Sequence, residues 1–166
     1  ALYDALFARV GIARVHDPAG LLETLKLLHV YGGLPGRRIV SASCSGGEAS
    51  LVADLAQPRG LEMPSVPAAA RSALQAVLGE KVTVANPLDL MRDAGPERYA
   101  AAATALAHDS GTDVVMLLHH PTSFSSGSEI ARALNPVPQG EALVLAAFAG
   151  AEQQQARRIL GERGIA

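Results

Sequence analysis

The fold of this chain is indicated most clearly by the stretch Arg37-Arg-Ile-Val-Ser-Ala-Ser-Cys-Ser-Gly-Gly-Glu48, which is followed by Ala49-Ser-Leu-Val-Ala-Asp-Leu-Ala56. A β-type run over 38–42 gives way to small residues and two glycines, and a helical apolar pattern begins at once. A strand, a glycine-rich turn and a helix N-terminus gather backbone N–H groups around one point. Glycine lets the backbone approach a ligand, and the helix dipole favours negative charge there. The stretch therefore predicts a βα unit with an anion site, and phosphate is the anion that fits best.

Strands and helices alternate along the rest of the sequence. Strands are predicted over 38–42, 60–63, 82–84, 112–118 and 142–148, and helices over 47–57, 67–78, 96–108, 127–134 and 150–161. The run Val114-Val-Met-Leu-Leu118 is continuously apolar, as parallel strands buried on both faces are. This alternation predicts an α/β domain: a flavodoxin-like, doubly wound parallel sheet in a three-layer αβα arrangement.

The first 33 residues follow a different pattern. Residues 2–10 are predicted as a helix and residues 11–15 as a short strand, and Asp17-Pro18 supplies the N-cap and first position of a second helix. That helix ends at Gly32-Gly33, which is the best domain boundary in the chain. Gly164-Ile-Ala166 has the pattern of a beginning strand, so both ends are interpreted as cuts through a longer chain.

Composition excludes several partners. Apolar residues make up 49% and charged residues 18% of the 166 residues, and the formal net charge is −2. No basic patch with interleaved aromatic residues indicates nucleic acid, and no apolar run approaches the roughly 20 residues that span a bilayer. The single cysteine, Cys44, excludes an internal disulfide framework and favours a reducing cytoplasm.

Three polar segments are expected at the carboxyl ends of the strands, where open α/β sheets bind ligands. They are 43–48, 86–89 and 119–123. In the first, Ser45, Gly46 and Gly47 are the candidate phosphate-binding residues, although two glycines also suit a simple tight turn. Glu48 complicates this interpretation, because a carboxylate at a helix start competes with an anion. It can stabilise the helix dipole, or it can orient an imidazole brought in by another domain.

The other polar residues give weaker hypotheses. Asn86 and Asp89 are candidate supporting residues, but Asn86-Pro-Leu-Asp89 also suits a plain turn, which is favoured. The pair His119-His120 suggests a metal, yet adjacent strand residues face opposite ways and no third ligand has suitable spacing, so no metal site is predicted. Cys44 lacks an assignable base, and no catalytic residue is assigned. A flavin mononucleotide site stays an alternative, disfavoured by the scarcity of aromatic residues.

An ordered series of motifs resembles a known family. The series is Val40-Ser-Ala-Ser-Cys-Ser-Gly-Gly-Glu-Ala-Ser-Leu-Val-Ala-Asp54, Gly60-Leu-Glu-Met-Pro64, Ala85-Asn-Pro-Leu-Asp-Leu90, Pro96-Glu-Arg-Tyr99 and Asp113-Val-Val-Met116. It resembles the C-terminal flavodoxin-like ligase domain of NDP-forming acyl-CoA synthetases, in the succinyl-CoA synthetase-like superfamily. Residues 1–15 resemble the end of the preceding succinyl-CoA-ligase-like domain. The resemblance thus divides the chain into a tail with a connecting helix, 1–33, and a ligase domain, 34–166.

The resemblance implies a multidomain enzyme that makes acyl-CoA from an acid, CoA and ATP, with ADP and phosphate as the other products. It implies that Ser45-Gly46-Gly47 and the helix behind them hold phosphate or a phosphohistidine. CoA, ATP/ADP and Mg are expected for the intact enzyme, and no cofactor within this piece. The implied partners are a CoA-binding Rossmann domain, a phosphohistidine-bearing domain and an ATP-grasp domain, and a homo-oligomer is left open. This piece alone is expected to be inactive. A regulatory or binding module, fused to an acetyltransferase in some relatives, is the alternative.

Overall fold

A computed structural model of the chain describes residues 2–134 and 142–166. The chain divides into two compact units, residues 1–33 and residues 34–166. The helices are α1 (Leu2–Val10), α2 (Pro18–Tyr31), α3 (Gly46–Ala56), α4 (Ala68–Leu78), α5 (Pro96–Ala107), α6 (Gly127–Ala133) and α7 (Gln154–Glu162). The strands are β1 (Ile39–Ser43), β2 (Leu88–Asp89), β3 (Val114–His119) and β4 (Leu143–Phe148).

The first unit consists of α1 and α2. Asp17 caps α2 by accepting a hydrogen bond from the backbone N–H of Gly20 at 2.7 Å, and Pro18 follows it at the start of the helix. Gly32 ends the helix with a left-handed φ of 71°. The predicted strand over 11–15 was wrong, because a strand needs a hydrogen-bonding neighbour and the described part of this unit offers two helices. That residues 1–33 end a preceding domain stays a prediction.

The second unit contains a four-stranded parallel sheet. The strand order is β2-β1-β3-β4, so the chain leaves β1 towards one edge and continues from β3 towards the other. In the register, Ile39 of β1 pairs with Val114 of β3, and Val114 pairs with Leu143 of β4. This order with parallel strands is the doubly wound, flavodoxin-like arrangement. The predicted α/β fold class is confirmed.

Helices cover both faces of this sheet. Side chains of β3 alternate between the faces, so Val115 and Leu117 join a large apolar cluster that includes residues of α4, α5, α6 and α7. Val114 joins a smaller cluster on the opposite face with Val52 and Ala56 of α3. The sheet is thus the middle of three layers, and α3 lies alone among the described helices in the smaller cluster.

Two predicted strands beside β1 were wrong. Residues 60–63 contribute only an isolated bridge between Arg38 and Glu62, and residues 82–84 form no strand. The reason is Asn86, whose side-chain Oδ1 accepts from the N–H of Ser41 at 3.2 Å while Nδ2 donates to the carbonyl of Ile39 at 2.9 Å. An amide side chain therefore occupies the ladder positions that a backbone strand would use, and β2 begins two residues later.

Two further observations concern the chain as a whole. Among the described residues, no helix has the length and apolar character needed to cross a membrane. The predicted strand at 164–166 is not formed, although the carbonyl of Ala166 accepts a hydrogen bond from the N–H of Ala146 in β4 at 2.7 Å.

Candidate functional site

The candidate site lies where the direction of the chain through the sheet reverses, between the carboxyl ends of β1 and β3. In doubly wound sheets this switch point leaves a crevice that binds ligands. The structure brings the three polar segments predicted from sequence to this edge. Ser43 pairs with Asp89 of β2, and Glu48 contacts His120, which follows β3.

Ser45, Gly46 and Gly47 lie at the start of α3. Ser45 is the N-cap, and its Oγ accepts from the N–H of Glu48 at 3.5 Å. The two glycines occupy the first turn of the helix rather than a loop before it, and both are exposed. Donors in a first helical turn have no intrahelical partner. The arrangement can therefore present backbone N–H groups and the positive end of the helix dipole to a ligand in the crevice.

The two glycines differ in the space around them. A Cβ atom at Gly46 would lie 2.9 Å from Oδ2 of Asp89, whereas a Cβ atom at Gly47 would meet Oγ of Ser45 at an ordinary 3.6 Å. Gly46 thus allows the close approach of α3 to the end of β2. Gly47 is not required by packing, so its lack of a side chain leaves open space over the helix start.

The carboxylate of Glu48 is held by other side chains of the crevice. One carboxylate oxygen, Oε2, accepts a short hydrogen bond from Oγ of Ser43, and the other, Oε1, lies 3.1 Å from Nδ1 of His120. The sulfur of Cys44 lies 3.7 Å from the same nitrogen. From sequence, the imidazole beside Glu48 was expected from another domain, and Cys44 had no assignable base. The structure supplies both from a residue 72 positions beyond Glu48, a separation at which no local spacing signal exists.

His119, the neighbour of His120, is fully buried, and the centroids of the two rings lie 6.5 Å apart. Its Nδ1 accepts from Nε2 of Gln153 at 3.1 Å, and its Nε2 donates to Oγ of Ser125 at 3.3 Å. Burial, together with the nearby His120, lowers the pKa of His119 and keeps the ring neutral. His119 is therefore a core residue.

Tyr99 of α5 packs against the end of β3 inside the core. Its hydroxyl donates to the carbonyl of Leu118 at 2.7 Å, and its ring contacts His119 edge-on at 5.7 Å between centroids. Burial, with smaller contributions from the neighbouring Cys44, raises the pKa of Tyr99 far above its usual range. The phenol is a neutral hydrogen-bond donor that fixes the strand end behind the crevice.

The side chains of Asn86 and Asp89 form hydrogen bonds with main-chain groups. The Nδ2 group of Asn86 donates to the carbonyl of Pro64 as well as to β1, and the Asn86–Pro87 peptide bond is cis. Oδ1 of Asp89 accepts from the N–H of Met91 at 2.8 Å, where the backbone has a φ of 70°. The segment is structural, as expected, but the plain turn predicted for Asn86–Asp89 was wrong, because Asn86 bonds the backbone of β1 and Pro64 and Leu88–Asp89 form β2. The segment positions the start of α3 through the contact of Asp89 with Gly46.

The sequence has relatives among curated proteins. It is 26% identical to the alpha subunit of ADP-forming acetate–CoA ligase II from Pyrococcus furiosus, over 99% of this chain and 37% of the relative. It is 24% identical to ADP-forming acetate–CoA ligase I from Archaeoglobus fulgidus, over 98% of this chain and 23% of the relative. No family model matches the sequence. The chain thus spans well under half of the length of these relatives.

Solved structures share the fold. The dinucleotide-forming acetyl-coenzyme A synthetase 1 of Candidatus Korarchaeum cryptofilum superposes with a TM-score of 0.85 at 18% identity, over 99% of this chain and 36% of that one. A protein of Pyrococcus horikoshii superposes with a TM-score of 0.82 at 25% identity, over 99% of this chain and 39% of that one. The resemblance inferred from the motifs is confirmed: over its whole length the chain is similar to part of an ADP-forming acyl-CoA synthetase.

Proposed function

We propose that this chain is a domain of a multidomain acyl-CoA synthetase that converts an acid, CoA and ATP to acyl-CoA, ADP and phosphate. Its own contribution is the helix start formed by Ser45, Gly46 and Gly47, which holds phosphate or a phosphohistidine. The relatives are named as ADP-forming acetate–CoA ligases. The Korarchaeum enzyme, of which this chain covers 36%, was solved in complex with phosphate and ADP.

The observation that carries the proposal is the exposed first turn of α3 at the switch point of the sheet. Phosphoryl transfer is catalysed mainly by positioning and by fixed donors around a highly charged group. Exposed glycine N–H groups at a helix start supply such donors without moving, because the strand and the N-cap already hold them.

Glu48 does not oppose this role as strongly as its place in the sequence suggests. A free carboxylate in the first turn of a helix competes with an anion for the N–H groups. Both oxygens of Glu48 instead have partners at the crevice wall, Ser43 and His120. The hydrogen bonds stabilise its charge locally and leave the glycine N–H groups to the ligand.

The intact protein would carry the remaining chemistry. A CoA-binding Rossmann domain, a phosphohistidine-bearing domain and an ATP-grasp domain are the partners that the function requires, with CoA, ATP/ADP and Mg as their ligands. In this proposal the enzyme works in the cytoplasm. The proposed step joins two domains across the start of α3, because the histidine that carries the phosphoryl group comes from outside this chain.

The first test is product analysis on the full-length protein with Mg-ATP, CoA and a panel of carboxylic acids. Formation of ADP and phosphate that depends on both acid and CoA is expected, and it identifies the acid class. A folded, intact protein that gives no turnover with any acid contradicts the synthetase assignment and favours the regulatory module.

The second test addresses the helix start itself. Gly47→Val should reduce the acid-labile phosphoenzyme formed from labelled ATP by about tenfold or more, because the branched side chain blocks approach to the N–H groups. Gly161→Val, which adds the same side chain to α7 where a Cβ has no neighbour within 4 Å, is the matched control. Normal phosphoenzyme in Gly47→Val would exclude the proposed site.

A further inference from the structure

We propose that Cys44, Glu48 and His120 form a binding site for a zinc-type divalent cation in the crevice between β1 and β3. Their ligand atoms all lie within 4.8 Å of one another. Thiolate, imidazole and carboxylate are the three donor types that bind zinc in proteins. The site does not depend on the proposed synthetase function, because it follows from the positions of these three side chains alone.

Two of the three donor–donor distances are close to those of a tetrahedral centre. Zinc binds sulfur at about 2.3 Å and histidine nitrogen at about 2.0–2.1 Å, which places the two donors about 3.6 Å apart at a tetrahedral angle. Sγ of Cys44 and Nδ1 of His120 are 3.7 Å apart. A nitrogen and a carboxylate oxygen on the same centre would be about 3.4 Å apart, and Nδ1 and Oε1 of Glu48 are separated by 3.1 Å. The third pair, Sγ of Cys44 and the carboxylate of Glu48, lies within 4.8 Å.

Three separate elements hold the donors. Cys44 follows β1 and is 2% exposed, Glu48 lies in the first turn of α3, and His120 follows β3. His119, the last residue of β3, is buried in the core, whereas His120, one residue beyond the strand, contacts Glu48 at the start of α3. The side chain of His120 is 42% exposed, so one side of the site is open to solvent for a fourth ligand.

Ser43 orients the carboxylate. Its hydroxyl donates to Oε2 of Glu48, which leaves Oε1 directed at the position between Cys44 and His120. Its oxygen also accepts the N–H of Ser45 at 3.0 Å, so the hydroxyl is fixed on both sides. Such outer contacts hold metal ligands in place and commonly change metal affinity by about tenfold to a hundredfold.

The donor set selects the metal. Magnesium prefers oxygen ligands in an octahedron, whereas a thiolate with an imidazole favours zinc or cobalt. Binding releases the thiol proton of Cys44 to solvent and leaves the hydrogen of His120 on Nε2, so that the Nδ1 lone pair faces the ion. One thiolate and one carboxylate then balance the two positive charges of the cation.

A cation here would change the electrostatics of the helix start. It would neutralise Glu48, which otherwise places a negative charge one residue after the exposed Gly47. A bound divalent ion is commonly the largest local charge in a site. The crevice would then attract anions more strongly, whichever anion it binds.

Cobalt titration of the full chain, kept reduced and freed of metal with a chelator, tests the site directly. We expect one Co²⁺ per chain, with a thiolate-to-cobalt charge-transfer band and the visible bands of tetrahedral cobalt, both displaced by Zn²⁺ and not by Mg²⁺. The readout requires no synthetase activity, so its failure and that of the proposed function are separate results.

Variants identify the ligands. Cys44→Ser should abolish the charge-transfer band, and His120→Asn and Glu48→Gln should weaken Co²⁺ binding by more than the roughly tenfold loss expected for the outer contact in Ser43→Ala. His29→Asn, which removes an exposed histidine of α2, is the matched control. No band in the folded parent chain, a band that persists in Cys44→Ser, or an unchanged Co²⁺ affinity in His120→Asn overturns the proposal. His120→Asn changes a half-exposed side chain, so it keeps the test valid if Cys44→Ser does not fold.

Discussion

Polar side chains at the carboxyl edge of the sheet fall into two groups with opposite uses. The hydrogen-bonding groups of Asn86 and His119 stabilise the fold, because Asn86 bonds the backbone of β1 and His119 bonds Gln153 and Ser125 inside the core. In the crevice group, defined as Cys44, Glu48 and His120, the carboxylate of Glu48 and the ring of His120 contact each other and border solvent, whereas Cys44 is buried beside His120. Side chains of similar chemistry that lie close together in the sequence therefore have different roles: some stabilise the fold and others line the crevice.

Polarity at a strand end therefore does not by itself identify a binding site. A buried polar group must be hydrogen-bonded, so it costs stability when its partner is removed. A polar group that borders solvent can lose its protein partner to water at little cost. Substitutions in the first group should consequently lower the free energy of unfolding more. Substitutions in the crevice group should instead weaken ligand binding more.

The adjacent histidines give the largest contrast. His119→Ala should lower the free energy of unfolding by about 4 kcal/mol, because it leaves a cavity beside Tyr99 and removes the partners of two buried polar groups. His120→Ala should change it by less than about 0.5 kcal/mol. Urea denaturation followed by circular dichroism measures both. Equal losses would show that the crevice group is part of the core.

Asn86→Ala should cost about 3 kcal/mol. Three hydrogen bonds to main-chain groups are lost at once, and the N–H of Ser41 and the carbonyl of Ile39 are left without their partner. Asp89→Ala, in the same segment, removes a single contact to Met91 and should cost about 1 kcal/mol or less. The same denaturation experiment compares them, and a smaller loss in Asn86→Ala than in Asp89→Ala would refute the ladder role of Asn86.

The two glycines provide a finer contrast within α3. Gly46→Ala should lower stability by about 1 kcal/mol, because its methyl group displaces the Asp89 carboxylate. Gly47→Ala should be neutral or slightly stabilising, since alanine favours helix and finds ordinary contact distances. Thermal unfolding of both variants decides this. Destabilisation by Gly47→Ala would mean that packing, rather than ligand access, requires this glycine.

The smallest effect is a pH dependence at the opposite, amino edge of the sheet. Hydrogen bonds from the side chain and N–H of Arg38 lower the pKa of Asp113 to about 2. The stabilisation is complete above the ordinary value of about 3.9 and is lost as the pH falls through about 2. Melting temperatures measured across this window should fall less steeply for Asp113→Asn than for the parent. Identical slopes would remove Asp113 as the cause.

Much of the fold follows from local sequence. The helices of the second unit begin and end within a few residues of their predicted positions, because caps and apolar periodicity are local signals. The strands predicted over 82–84 and 60–63 do not form, and the reason is tertiary. The side chain of Asn86 and a single bridge occupy the positions beside β1 that these strands would have filled. The strand over 11–15 failed because β-type residues form a strand only beside another strand.

The candidate site divides in the same way. The βα turn at Ser45-Gly46-Gly47 could be located from sequence, because strand, glycines and helix start are consecutive. The partner of Glu48 could not, because His120 is brought to it by the pairing of β1 with β3. For the same reason no third metal ligand has suitable spacing near His119-His120 in the sequence, since the other donors lie in the first βα unit.

By itself the sequence determined the parallel α/β class, most helix starts and ends, the place of the glycine-containing βα turn and the likeness to acyl-CoA synthetases. These are carried by spacing and composition over short stretches. Only the tertiary structure decided that Asn86 completes the edge of β1, that His119 belongs to the core and that Cys44, Glu48 and His120 meet. The physical reason is that strand pairing sets which distant residues share an edge, and burial then decides whether a polar group serves the fold or faces a ligand.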